Sequence, residues 1–393
     1  MKRRTQQIVQ KFFYLGVIPF VASYLFSLTA GNFSDFAPSS GWVTALCDPQ
    51  KRLMMIFAAV AFASLMIKLM IHINLADIPG HRSSHTVPTP RAGGLAIYVL
   101  MALSIIAVGN LDTGVAQYPH YVWIGFFWVV SVMAAMGLLD DWRRLSASIR
   151  GAAQIFCACI IVSQGVTFTK LQIPLVGIVE LGAMAIPLTF LWIVFFTNAF
   201  NFMDGLNGLA GNVSLVACLF ILGFAGIHHH YEASILALGL IAGLAAFLSF
   251  NFPNATIFLG DIGSQTLGIS LSIVTVLVGE SEPAFYSPFA LPAILFPFIF
   301  DASFTLIYRL CQGKNIFKPH KEYLFHRLSR IYLSQTTTTL CYTGLSILYG
   351  ACALWCMRVN LNVAYVIFYA LVIKLPVAFW LIYADSQKST RKG

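Results

Sequence analysis

Five short polar segments interrupt an otherwise apolar chain, and they hold most of the residue types that do chemistry. One reads Gly137-Leu-Leu-Asp140-Asp141-Trp142-Arg143-Arg144-Leu145-Ser146. Adjacent carboxylates repel, so both stay charged only beside a metal ion, an arginine or a shared proton. The next, from Asn198 to Gly211, sets Asn198, Asn201, Asp204 and Asn207 among Gly205, Gly208 and Gly211. These are hard oxygen ligands on a backbone that a phosphate can approach closely. In Phe258-Leu-Gly260-Asp261-Ile-Gly263-Ser264 a carboxylate stands just before a predicted helix, where a divalent cation and a diphosphate are favoured. The segment from Arg309 to Arg330 supplies cations, with Lys314, Lys318, His320, Lys321, His326 and Arg327. The earliest carries Arg82, His85 and Arg91 between Pro79, Pro88, Pro90 and Gly93-Gly94, a set suited to a phosphate. Together they suit a divalent cation and a doubly negative diphosphate held between carboxylates and cations.

Each segment also has an ordinary explanation. The paired aspartates and the basic run fit solvated charges at a membrane boundary, the asparagines fit turn caps, and Asp261 fits a helix N-cap. Phe258 taken alone fits packing. His228, His229 and His230 fall in a short loop away from the carboxylates and read as surface, not ligands. The eight cysteines show no CxxC spacing.

The elements that must position these residues are membrane helices. Of 393 residues 58% are hydrophobic and 10% charged, against about a quarter charged in soluble domains. Windows of about 20 apolar residues give about twelve spans, near 12–30, 53–75, 94–110, 121–139, 149–165, 184–200, 206–226, 233–250, 266–279, 289–309, 337–357 and 361–383. The fold class expected is an all-α polytopic membrane bundle of about eleven or twelve helices. Residues 1–52 read as an uncleaved anchor helix with an outside loop, 53–336 as a catalytic core, and 337–393 as a two-helix segment with a basic tail. With Met1 inside, the outside loops keep mainly Lys51, Arg52, Lys170 and Arg358, so both termini are expected in the cytoplasm. The net charge of +9 follows from that topology and from anionic lipid, with no call for nucleic acid. Asp77, Asp140, Asp141, Asp204, Asp261 and Glu322 then share the cytoplasmic face, while Asp301, inside a span, must find a partner in the bundle.

In order and spacing the five segments resemble those of the polyprenyl-phosphate N-acetylhexosamine-1-phosphate transferases, from about Asp77 to Arg330. Asp77-x-Pro79 with Arg82, His85 and Gly93-Gly94 is similar to that family's first loop, and Asp140-Asp141 with Leu145, Ser146, Arg150 and Gln154 to its paired-aspartate loop. Asn198-x-x-Asn201-x-x-Asp204-Gly205 and Gly260-Asp261-x-Gly263-Ser264 are the most specific matches. The resemblance implies Mg2+, or Mn2+ in its place, on Asp261 and Asn201. It also implies a uracil stacked on Phe258 near Asn207, with Asn198 and Gly205 beside the nucleotide sugar. His320, Lys321, His326 and Arg327 would bind phosphate, and Arg82 and His85 would meet the lipid phosphate.

There are departures. Arg144 stands where many members have a third acidic residue, Asn254 and Thr256 where Pro and Lys are frequent, and Asn207 where many bacterial members have Asp. Only His320 and His326 remain of a longer histidine run. This pattern looks closer to the O-antigen-initiating branch than to the peptidoglycan translocase.

The implied reaction is attack by undecaprenyl phosphate on the sugar-linked phosphorus of a UDP-N-acetylhexosamine, releasing UMP at the cytoplasmic face of the inner membrane. Asp140 or Asp141 would act there as base, nucleophile or orienting group, and Asp204 belongs to the same catalytic set. A secondary transporter is the competing reading. It would place polar residues at mid-membrane in two matching halves, which this chain does not show.

Overall fold

The computed structural model describes residues 2–33, 41–77, 88–111, 117–228, 230–280, 288–315 and 320–390. The chain starts with α1 (Lys2–Phe12), which runs through a π-helical turn into α2 (Ile18–Phe33), followed by the short α3 (Gly41–Cys47). Asp48 caps α4 (Pro49–Ile73), accepting from the N–H groups of Gln50 and Lys51. A two-residue ribbon, β1 (Ala76–Asp77) against β2 (Thr89–Pro90), leads to α5 (Gly94–Gly109), α6 (His120–Arg143) and α7 (Ala147–Ser163). A hairpin of β3 (Lys170–Ile173) and β4 (Gly177–Glu180) precedes α8 (Ala185–Met203), α9 (Leu209–His228), α10 (Tyr231–Asn251) and α11 (Gly260–Gly279). Then come α12 (Ala290–Ile294), α13 (Phe296–Cys311), the small α14 (Leu324–Ile331), α15 (Gln335–Arg358) and α16 (Ala364–Thr390).

Each of the twelve expected spans falls on a helix. Among the described residues eight helices are long and apolar enough to cross a membrane, and α5, α7 and α9 are shorter apolar helices. The span expected at 289–309 is broken at Leu295, because Pro297 in the first turn of α13 has no N–H to give to a preceding turn. The span expected from 266 begins at Gly260, so the Gly260-Asp261-x-Gly263-Ser264 motif is the first turn of α11 itself. The small helix α14 and both ribbons lie outside the apolar windows that the spans were read from.

The most apolar windows of α10 and α11 are 89% and 94% buried, against 22% for α4 and α16, so the first two form the centre and the last two the rim. Close approach at the centre rests on small residues. A Cβ added to Gly94 of α5 would lie 2.1 Å from the Gly263 Cα, and one on Gly137 of α6 would lie 2.5 Å from the Asp261 carbonyl oxygen. The π-helical turn and α2 join the same core through Tyr14, Ile18, Ala22 and Phe26. Arg52, expected in an outside loop, is instead fully buried in the first turn of α4. It donates to Ser23, Ser27 and the Leu46 carbonyl, and its guanidinium lies over Phe26, which ties α2 and α3 to α4.

Both ends of the chain reach one face. Gln10 donates to the Leu248 carbonyl and Lys11 lies over Phe250, beside the loop that leads into α11. Asp385, in the last turns of α16, meets α14.

Candidate active site

The paired aspartates occupy the last turn of α6, and their repulsion is resolved by facing different partners. Asp140 accepts from the Leu145 N–H at 2.6 Å and from Arg150 at 2.9 Å, which closes the α6–α7 turn. Asp141 reaches across to α11, where its two oxygens accept from the N–H groups of Asp261 (3.0 Å) and Ile262 (3.2 Å). It caps that helix from another element, the job an N-cap side chain does from within. Arg91 stands 3.7 Å from the same carboxylate, and the Asp141 side chain is 1% exposed. Gly260 makes the approach possible, since at φ +74° a Cβ there would sit 2.5 Å from Asp141 Oδ2.

Beside this cap stand two carboxylates of a different kind. Asp261 stands in the first turn of α11, and Asp204 follows the end of α8. Among the described residues no donor hydrogen-bonds either side chain. Burial first, then the negative charges of Asp261 and Asp141, push Asp204 up to about 7, against the pull of Arg91. Asn201, one turn before Asp204, accepts from Ser264 Oγ at 2.7 Å, which fixes the end of α8 to the first turn of α11. No group of three His, Cys, Asp or Glu suited to a metal occurs among the described residues. The oxygens gathered near the first turn of α11 include two carboxylates and the Asn201 amide, a set that suits a hard cation completing its shell with phosphate oxygens.

The other expected residues fall around this centre. Asn198 donates to Gln154, which donates to Gln265 at 3.1 Å, an amide chain, buried at the two glutamines, that joins α7, α8 and α11. Asn207 donates to the Pro253 carbonyl, and its own carbonyl accepts from Thr339 of α15. Phe258 is partly exposed, with its backbone paired to Pro90 and Gly93 of the first loop. Gly205 packs under α14, where an added Cβ would lie 2.8 Å from Phe325 and 3.2 Å from His326 Cε1. Arg82 and His85 lie outside the described residues. Of the three histidines read as a surface loop, His230 is 3% exposed in the tight joint before α10.

Loop five differs from the row of cations read from its sequence. His320 is lowered to about 4 by burial and by Arg309, Lys314 and Arg327, with Glu322 opposing. His326 is lowered to about 4 by burial and by Lys321, Arg330 and His320. Both imidazoles are therefore neutral at pH 7, able to donate one hydrogen bond but bringing no charge. Arg327 gives Nε to the Glu322 carbonyl and Nη1 to Asp385. Arg309 pairs with Glu322 at 2.7 Å. Lys321 is partly exposed on the same segment. Asp301, expected to need a partner, is fully buried and accepts from the Leu324 and Phe325 N–H groups and the Tyr342 hydroxyl.

Gln265, Tyr342, Lys374 and Asp385 escaped the sequence reading. Lys374 carried a usable signal, a lone cation in mid-span, which in hydrocarbon demands a partner. It lies over the rings of Phe296, Phe300, Tyr342 and Tyr349, and its charge reaches Asp301.

Residues 123–279, from α6 to the end of α11, match the family model described as glycosyl transferase family 4. A protein of Bacillus subtilis named as a probable undecaprenyl-phosphate N-acetylglucosaminyl 1-phosphate transferase is 32% identical over 313 residues, 79% of this chain and 85% of that protein. A decaprenyl-phosphate N-acetylglucosaminephosphotransferase of Mycobacterium leprae is 32% identical over 64% of this chain and 69% of its own length. A phospho-N-acetylmuramoyl-pentapeptide-transferase of Leuconostoc citreum is 32% identical over 51% of this chain and 65% of its own. The matched segment contains Asp140, Asp141, Asn198, Asn201, Asp204 and Asp261, of which Asp141 and Asn201 bond to the first turn of α11, and the chain belongs to glycosyl transferase family 4, the polyprenyl-phosphate N-acetylhexosamine-1-phosphate transferases.

Proposed function

We propose that the chain transfers N-acetylhexosamine 1-phosphate, with N-acetylglucosamine as the first candidate, from a UDP-sugar to undecaprenyl phosphate. The products are undecaprenyl-diphosphate-sugar and UMP, and the reaction is the first step of a cell-surface polysaccharide such as an O-antigen. It takes place on the cytoplasmic face of the inner membrane. The observation that carries this reading is the pair Asp204 and Asp261, neither hydrogen-bonded among the described residues and close enough for the charge of Asp261 to act on Asp204, with Asn201 tied to the same turn of α11 by Ser264.

Asp261 and Asn201 would hold Mg2+, with Mn2+ as a substitute, and that ion supplies charge neutralisation on the diphosphate of the nucleotide sugar. Asp141 keeps Asp261 in place through the α11 cap and acts as an orienting group. Asp140, filled by Arg150 and the Leu145 N–H, fixes the turn that presents Asp141. Asp204 is the side chain left to accept a proton from the lipid phosphate, whose second ionisation lies near pH 6. Phe258 and Asn207 would hold the uracil. Lys321, with His320 and His326 as neutral donors, would meet the phosphoryl oxygens. The lipid phosphate oxygen attacks the sugar-linked phosphorus, that bond forms as the bond to UMP breaks, and the site's contribution is positioning and charge.

The transporter reading drew on Asp301. Its oxygens are taken up by the start of α14 and by Tyr342, which makes it a cap and not a cargo site. The test is UMP release from UDP-N-acetylglucosamine by the protein in membranes with undecaprenyl phosphate and Mg2+. Lipid-dependent release is expected. Its absence with every UDP-N-acetylhexosamine offered, from folded protein, overturns the proposal.

A further inference from the structure

The small helix α14 is held at two points by two different membrane helices. At its start, Asp301 of α13 accepts from the N–H groups of Leu324 and Phe325 at 2.7 and 2.9 Å. Further along, Asp385 of α16 takes Arg327 at 2.7 Å and Arg330 at 2.6 Å on a single oxygen. Residues three apart share a helix face, so the two arginines form one handle. His326, one position earlier, is turned about 100° from Arg327 and lies on Gly205, next to Asp204.

The two grips do different things. A cap on N–H groups directed along the axis fixes where a helix begins but leaves it free to roll. The hold of Asp385 on the side of α14 removes that freedom. A roll of about 20° would carry a side-chain tip ~5 Å from the axis through about 2 Å, and displacements near 1 Å at a reacting centre cost about a hundredfold in rate.

We propose that Asp385 is a positioning residue for the transfer reaction, setting the roll of α14 and hence the place of His326 beside Gly205 and Asp204. The proposal rests on the reading of that site as the transferase centre. It gives the end of α16, well beyond the matched segment, a part in the chemistry.

The experiment is a double-mutant cycle on the full-length protein, measuring kcat/KM for UDP-N-acetylglucosamine with saturating undecaprenyl phosphate, alongside thermal unfolding of every variant. Asp385→Asn is expected to lower kcat/KM by about 10- to 30-fold in the wild-type background and by less than about threefold in a His326→Gln background. Asp385→Glu is expected to recover most of the loss. A merely structural role gives equal losses in both backgrounds, or losses that follow the unfolded fraction, and either result overturns the proposal. So does wild-type kinetics in Asp385→Asn. Should the wild type itself release no UMP, the transferase reading falls and takes this proposal with it, an outcome distinct from an active enzyme with additive losses.

Discussion

Two helices in this protein have their first turn capped by a carboxylate from another helix, and the two caps are finished differently. Asp141 caps α11 with both oxygens, with Arg91 at 3.7 Å and the bare carboxylates of Asp261 and Asp204 close by. Asp301 caps α14 with both oxygens, adds the Tyr342 hydroxyl, and faces Lys374 in its cage of rings. The α14 cap is closed, each negative charge answered by the protein. Around the α11 cap, negative charge exceeds what Arg91 and Arg150 answer, and such a surplus has to be met by a ligand or a cation. On the proposed function, the same local device serves scaffold at one end and chemistry at the other.

Substitutions on the two sides should separate accordingly. Asp261→Asn is expected to lower kcat by about a thousandfold or more, roughly 4 kcal/mol of barrier, with the melting temperature within a few degrees of wild type. Asp301→Ala should do the reverse, leaving Lys374 buried without a counter-charge and removing about 3–5 kcal/mol of stability. A stable, active Asp301→Ala protein would break the contrast. Asp141→Asn lies between them. An amide keeps only one good acceptor for two N–H groups, so activity should drop about a hundredfold through a misplaced Asp261. Tyr342→Phe removes one of four donors from Asp301, the others being the Leu324 and Phe325 N–H groups and the Thr305 hydroxyl, and should cost about 1 kcal/mol, with KM unchanged.

The sequence revealed the open side better than the closed one, for a physical reason. In so apolar a chain, clustered carboxylates and amides at helix ends stand out, and their chemistry does not depend on knowing the packing. The twelve spans were legible because burial in lipid imposes length and apolarity on each. Which of Asp140 and Asp141 faces the site was not, because Asp141 meets its donors 120 residues away, at an approach allowed by Gly137 and Gly260. The eight residues of α14 were too few to show periodicity among so many charges. Asp385 lay hidden in a basic tail, and only the fold brings it 58 residues back to Arg327.

A last and smaller effect should set the two regions against each other along the pH axis. Asp204, raised from 3.8 to about 7, prefers its proton in the folded protein. The stability tied to that proton is complete below pH 4 and is lost as pH rises through about 7. His326, lowered from 6.5 to about 4, prefers to stay neutral, so its share is complete above pH 6.5 and is lost as pH falls through about 4. Thermal unfolding without divalent cation, compared with Asp204→Asn and His326→Gln, isolates each group because the rest of the titration is shared. Relative to wild type, Asp204→Asn should gain stability between pH 4 and 7, and His326→Gln should gain it as pH falls from 6.5 to 4. Added Mg2+ should flatten the first curve and leave the second alone, since only the α11 side has charge left to give a cation. If Mg2+ moved both curves alike, the division between an open and a closed cap would fail.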